Sequence, residues 1–289
     1  MSDDLLAIIA SGLDIFDLGR PLFAGIPKHD VHPEYRMALQ LRHGDVVGAD
    51  GASGATELIV TGGHVGTHVD ALCHISANGR LHGGIPVDKA MSGSRFGQLG
   101  IDTMQPLVRR GLLLDVPAAL GVEACTAAYE ITVDDLDRAL ALTGCPPRPG
   151  DVILIRSGWG RHFADRVRFE GAATGTPGVG VAGARWLANF QPAAVGSDTI
   201  AFEHTVPWES LTLMPAHQIL IVEGGIHIIE LLDLEELAAA RIHEFAFILS
   251  PLKLVGATAS PARPLAVVQA ARPSVHTGPR PPDEAVEEG

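Results

Sequence analysis

The stretch GGHVGTHVDALCH, residues 62–74, puts four ligand-type side chains into eleven residues: His64, His68, Asp70 and His74. That crowding restricts how the chain can fold there. His68 and Asp70 are two apart, so on a strand they face the same side. His64 would share that face on a regular strand, but about 13 Å from His68 at roughly 3.3 Å per residue. One ion cannot span that distance. A helix would bring His64 next to His68 but would leave Asp70 off their face. The Gly62–Gly63 approach also argues against a helix. If the three serve one centre, the chain must bend between His64 and His68, and Gly66 is the natural place for a turn or bulge.

Imidazole and carboxylate suit zinc, manganese or iron. Two histidines and one carboxylate fill three positions and leave others for water and substrate, which separates a catalytic site from a closed structural one. The alternatives are a chance cluster or a loop held by hydrogen bonds. Four such side chains this close together favour the metal reading.

The rest of the chain reads as α/β. Short apolar runs at Leu58–Val60, Leu112–Val116, Val152–Ile155, Ala193–Val195, Ile219–Val222 and Phe245–Leu249 read as strands. Most are continuous rather than alternating, the pattern of strands covered on both faces. Helices are expected at Asp134–Leu142, Ala182–Phe190 and Leu234–Ala240. The first is announced by a capping box, Thr132 with Asp135, and closed by Gly144. Gly44–Ala55 and Gly171–Gly183 read as glycine-rich loops. Residues 1–272 are expected to form a single domain. Residues 273–289, rich in proline, glycine and acids, are expected to form a disordered tail.

The formal charge of −13 disfavours nucleic acid and anionic membrane as partners, since both require clustered Lys and Arg. A small-molecule substrate fits better. No apolar run reaches the roughly 18 residues of a membrane span, and the acidic N-terminal residues do not read as a secretory signal. A cytoplasmic location is the default expectation. Three widely spaced cysteines, Cys73, Cys125 and Cys145, give no disulfide framework.

GGHVGTHVDALCH resembles the H-x-G-T-H-x-D-A-x-x-H signature of the metal-dependent cyclase-type hydrolases, which include kynurenine formamidase and isatin hydrolase. IFDLGRPLFAGIP, DVILIRSGW, VGSDTIAFE, HQILIVEGGIHIIELLDLEEL and FILSPLKLVGATASPARPLAVV resemble further stretches of that family, in order, over roughly residues 14–269. The resemblance implies a mixed β-sheet or barrel-like core with flanking helices, of the swivelling β/β/α kind, and a homo-oligomer. It implies that His64, His68 and Asp70 bind Zn2+ or Mn2+. His217 and Glu230 match the late ligands that hold a second ion in the formamidase branch, with Asp70 placed to bridge. One or two ions are therefore open. Glu230 could instead be an acid at a helix start.

His74 falls where the family places a proton shuttle rather than a ligand. A histidine near neutral pKa can take a proton and return it to a leaving nitrogen; the alternative is a residue that only orients a ligand. The signature usually has proline two before that histidine, where this chain has Leu72. Cys73 should point away from His74 on an extended segment and is read as a packed small side chain rather than a ligand. Trp159 and His82 are candidate substrate contacts. Asp198 either supports the site or caps a turn. The combined expectation is hydrolysis of a C–N bond in a cyclic amide or aryl formamide. The alternatives are a lactone hydrolase on the same site, or a metal- or ligand-binding protein without catalysis.

Overall fold

The continuous apolar runs form the middle of one mixed nine-stranded sheet. A computed structural model describes residues 3–207 and 214–270. The strands lie in the order Leu13–Asp17, Leu265–Gln269, Glu244–Leu249, Leu107–Asp115, Val152–Arg156, Ala194–Ser197, His227–Glu230, His68–Asp70 and Ala259–Pro261. The four from Leu107–Asp115 to His227–Glu230 run parallel to one another. On both sides of that block the neighbouring strands pair antiparallel. The α/β expectation with a mixed sheet at its core holds.

Burial follows position in the sheet. Val152–Arg156 and Ala194–Ser197 are buried along their whole length, as parallel strands covered on both faces are. Glu244–Leu249 alternates exposed and buried, because one of its faces is open. Leu58–Val60 is a strand as expected, within Thr56–Val60. It pairs only with Arg36–Leu41 in a separate hairpin, and every one of its residues is exposed. Here the inference from a continuous run to a covered strand fails.

The run Ile219–Val222 is also corrected. It is not a strand but lies in a wide helical turn, Gln218–Glu223, that continues the short helix Pro215–His217. Four apolar residues fit a buried helix as well as a strand, and Ile219, Leu220 and Ile221 are all buried in the main core. The three expected helices are present as Val133–Thr143, Val181–Asn189 and Glu235–Ala239. The tail at 273–289 lies outside the described residues. The chain divides into two compact units, residues 15–267 and the two terminal segments. The terminal unit contributes the helix Asp3–Ala10. No described helix is long and apolar enough to cross a membrane.

The capping box is complete. The Asp135 amide donates to Thr132 Oγ1 at 3.2 Å, and the Thr132 amide donates back to Asp135 Oδ2 at 3.0 Å. Burial alone would raise the Asp135 pKa, but the Thr132 amide and hydroxyl and the Tyr129 hydroxyl outweigh it and hold it below the ordinary value of 3.8. A carboxyl lowered in the fold stabilises above its unfolded pKa and loses that contribution as pH falls through its folded one. Asp135→Ala is therefore expected to cost about 1 kcal/mol in urea unfolding at neutral pH. The gap between variant and wild type should close below pH 3.8.

Candidate metal centre

The sheet brings the sequence candidates together. His68 and Asp70 occupy one face of a buried three-residue strand. The neighbouring antiparallel strand sets Glu230 directly opposite His68, and cross-strand partners of this kind stand side by side. His68 Nε2 lies 3.2 Å from Glu230 Oε2 and 3.6 Å from Asp70 Oδ1. His217 reaches the same point from its helical turn, with Nε2 3.3 Å from Glu230 Oε1 and 3.7 Å from Asp70 Oδ2. Glu230 is thus a strand residue, not an acid opening a helix.

The bend required near Gly66 is present. Gly66 has φ +70°, a left-handed conformation open to glycine at little cost. A Cβ there would also collide with Leu22. The turn carries His64 back over the strand, where its Nδ1 lies 2.9 Å from Asp70 Oδ1 and its Nε2 3.0 Å from Thr258 Oγ1. The His74 ring is 4.1 Å from the His64 ring and 6.1 Å from that of His217. Two groupings have the spacing to hold a cation: His68, Asp70 and Glu230, and His64, Asp70 and His74. Asp70 belongs to both.

Hydrogen bonding shows which atoms are free. His68 Nδ1 is 2.8 Å from the Gly66 carbonyl oxygen, and His217 Nδ1 is 2.6 Å from Glu203 Oε1. If each Nδ1 carries the proton, each Nε2 presents a lone pair to the carboxylates. His68 Nε2, both Asp70 oxygens and Glu230 Oε1 are buried without a hydrogen-bond partner. Buried carboxylates left this way are costly unless a cation or proton compensates. The donor set, nitrogen and carboxylate oxygen with side chains fixed from behind, fits a divalent transition metal.

The imidazoles and carboxylates of the cluster stabilise one another's charged forms, so a divalent ion would have to displace the proton on His217 Nε2. Burial would raise the Asp70 carboxyl, but His74, His64 and His68 hold it well below the carboxylate range. Burial opposes charge on His217, yet Glu203 and Glu230 push it up to about 10. His74 differs from expectation. Burial, with His64 and His217 nearby, pushes it down to about 4 rather than near neutrality.

Glu203 is a residue the sequence reading missed. Besides His217 Nδ1, it accepts from the amides of Ala216 and His217 at 3.2 Å each, so it fixes both the ring and the start of the turn that carries it. Phe202 and Leu231, next to Glu203 and Glu230, have φ of +50° and +54°. Bulky residues rarely adopt this conformation, and such strain collects at functional sites.

The two expected substrate contacts point elsewhere. Trp159 is buried among Phe169, Ile200 and Leu231, and its indole N–H donates to the Phe169 carbonyl. The His82 Nδ1 lies 3.0 Å from the Val222 carbonyl, at the end of the wide helical turn. Asp198 accepts from the Ser157 amide and hydroxyl and the Gly160 amide, so it organises the turn after Val152–Arg156. Cys73 is buried against the Ala257 carbonyl, its thiol pushed up to about 11 by burial. It stands outside both ligand groupings.

A cavity of ≈ 510 Å³ opens on His64, His74, His217 and Glu230. Much of its wall is apolar, from Val31, Val181, Ile200, Val206, Met214 and Pro215.

The sequence profile of the cyclase family matches residues 16–204. The chain belongs to the cyclase family. The match contains His64, His68, Asp70, His74 and Glu203, and ends before His217 and Glu230. No curated protein sequence matches. Among solved structures, a novel cyclase superposes with a TM-score of 0.79 at 27% identity, covering 92% of this chain and 93% of that one. Isatin hydrolase A from Ralstonia solanacearum gives 0.70 at 22% identity, covering 92% and 96%. A "predicted metal-dependent hydrolase" from Bacillus stearothermophilus gives 0.59 at 23%, covering 89% and 98%. The last two share the fold with this cyclase-family chain.

Proposed function

We propose that the chain is a metal-dependent hydrolase that cleaves a C–N amide bond in a small cyclic amide or aryl formamide. The observation that carries this is the set of buried ligand atoms on His68, Asp70 and Glu230 without a hydrogen-bond partner, beside a largely apolar cavity that Glu230, His217, His64 and His74 line. Family membership and the likeness in fold to isatin hydrolase A and a "predicted metal-dependent hydrolase" support it. His68, Asp70, Glu230 and His217 would hold one ion, and His64 with Asp70 a second. A bound Zn2+ or Mn2+ supplies an activated water and polarises a carbonyl oxygen.

The remaining work falls to the chain itself. His74 lines the cavity beside His64, uncharged at neutral pH, so its free ring nitrogen can accept a proton. Returned to the leaving nitrogen, that proton lets the amide C–N bond break. The apolar wall takes the body of the substrate and excludes bulk water. Glu203 holds the His217 ring in the tautomer that leaves Nε2 free.

The test combines elemental analysis of the purified protein with turnover of formanilide, 2-oxindole and dihydrocoumarin after loading with zinc or manganese. Cleavage of either amide with bound metal supports the reading. Cleavage of dihydrocoumarin alone replaces it with a lactone hydrolase. Metal binding without turnover of any of the three replaces it with a binding protein.

Glu203→Gln keeps the shape of the group behind His217 and removes its charge. It is expected to weaken metal affinity roughly 10–100-fold, read by chelator competition, with the fold retained. Unchanged affinity would mean that the Glu203 charge does not support His217 as a ligand.

A further inference from the structure

Beside the proposed ligands, the cavity has a second imidazole wall. His32 lies on the segment between Pro27 and Tyr35, far from the signature stretch in sequence. Its ring stacks on His64 at 5.0 Å, with the planes 13° apart. It lines the same cavity as His64 and His74. Stacking on the His64 ring, which is itself bonded to Thr258 and lies beside Asp70, fixes the plane of His32.

The other polar side chains of the cavity are engaged. His204 Nε2 lies 3.0 Å from the Ala128 carbonyl. Thr205 Oγ1 is bonded to the amide and hydroxyl of Thr176. His29 Nδ1 faces Asp30 and the Val31 amide. Glu203 is spent on His217, and Glu130, when ionised, only accepts. Among the described residues, neither ring nitrogen of His32 makes a hydrogen bond. Apart from His74, it is the donor this cavity has in reserve.

An amide, formamide or lactone brings carbonyl oxygen into a largely apolar space. Left unpaired there, that oxygen loses its hydration without replacement. We propose that His32 is a substrate-binding residue, its ring N–H donating to a carbonyl oxygen of the bound substrate while its face rests on His64. This deepens the hydrolase reading and rests on it for the kind of substrate. It selects compounds with an oxygen acceptor near the scissile bond and an apolar body beyond it.

The test uses full-length, metal-loaded protein with formanilide, 2-oxindole and dihydrocoumarin. KM and kcat are measured for those cleaved, and Kd by calorimetry for those bound without cleavage. His32→Phe keeps an aromatic face for His64 and removes the donor; His32→Gln removes the ring and returns a donor. The expected result is a rise in KM or Kd of about tenfold or more for His32→Phe. Its metal content should stay near wild type, and His32→Gln should recover part of the loss. Wild-type affinity in His32→Phe overturns the proposal. Loss of metal from His32→Phe also overturns it, because His32 would then be a prop for His64. Failure of the wild type to bind any of the three overturns it as well. His32-dependent binding with no cleavage of any compound sinks the hydrolase reading and leaves the role of His32 standing.

Discussion

Asp70→Asn is expected to give a folded protein that holds neither zinc nor manganese and has no hydrolase activity above background. Asp70 is fully buried. It is the residue shared by both candidate ligand groupings. Three imidazoles converge on its oxygens, His64 at 2.9 Å, His68 at 3.6 Å and His217 at 3.7 Å. The amide of asparagine keeps the volume but replaces one acceptor oxygen with a donor and removes the charge. Changes behind a metal ligand typically cost about 10–100-fold in affinity, and removing a shared ligand should cost more. Elemental analysis after passage through a chelating column measures this directly, and circular dichroism verifies the fold. Asp70→Asn protein that keeps a full complement of metal would remove this residue from the centre. Mild acid should act in the same direction on wild type, because ligand imidazoles bind metal only when neutral.

How much of this was legible in the sequence depends on whether local or long-range geometry decides. The bend at Gly66 could be derived from spacing, because reach along a strand and the steric freedom of glycine are local matters. The capping box of Thr132 and Asp135 was readable for the same reason. Glu230 is different. Its place beside His68 follows from the register of two strands more than 150 residues apart in the chain, and only a family resemblance pointed to it. Glu203 gave no signal, since its partner His217 is brought close by a helical turn that begins where the sequence suggested the approach to a strand. Ile219–Val222 was misread because burial on all sides removes the periodicity that tells helix from strand. Trp159 and His82 have side chains able to line a pocket, but the fold directs their hydrogen bonds to the Phe169 and Val222 carbonyls. Residue type alone carries no direction.

His74→Ala is expected to lower kcat roughly 10²–10⁴-fold, the range for loss of a positioned proton carrier, while metal content stays at the wild-type level. The two readouts together decide its role. His74 has the spacing of a ligand with His64 and Asp70, so spacing alone does not separate ligand from proton carrier. A ligand lost to alanine lowers metal content and activity together; a proton carrier lowers turnover alone. The pH behaviour adds a second separation. Burial, reinforced by His64 and His217, pushes His74 down to about 4. It is therefore already neutral at pH 7, and its own titration should leave no inflection near 6.5 in the pH–rate profile. What remains for His74 is a transient proton, taken up as water attacks and given to the leaving nitrogen. Added imidazole should then restore part of the kcat of His74→Ala, since the vacated space opens on the cavity. Rescue of turnover at constant metal content fits a proton carrier. Metal loss that imidazole reverses would instead make His74 a ligand.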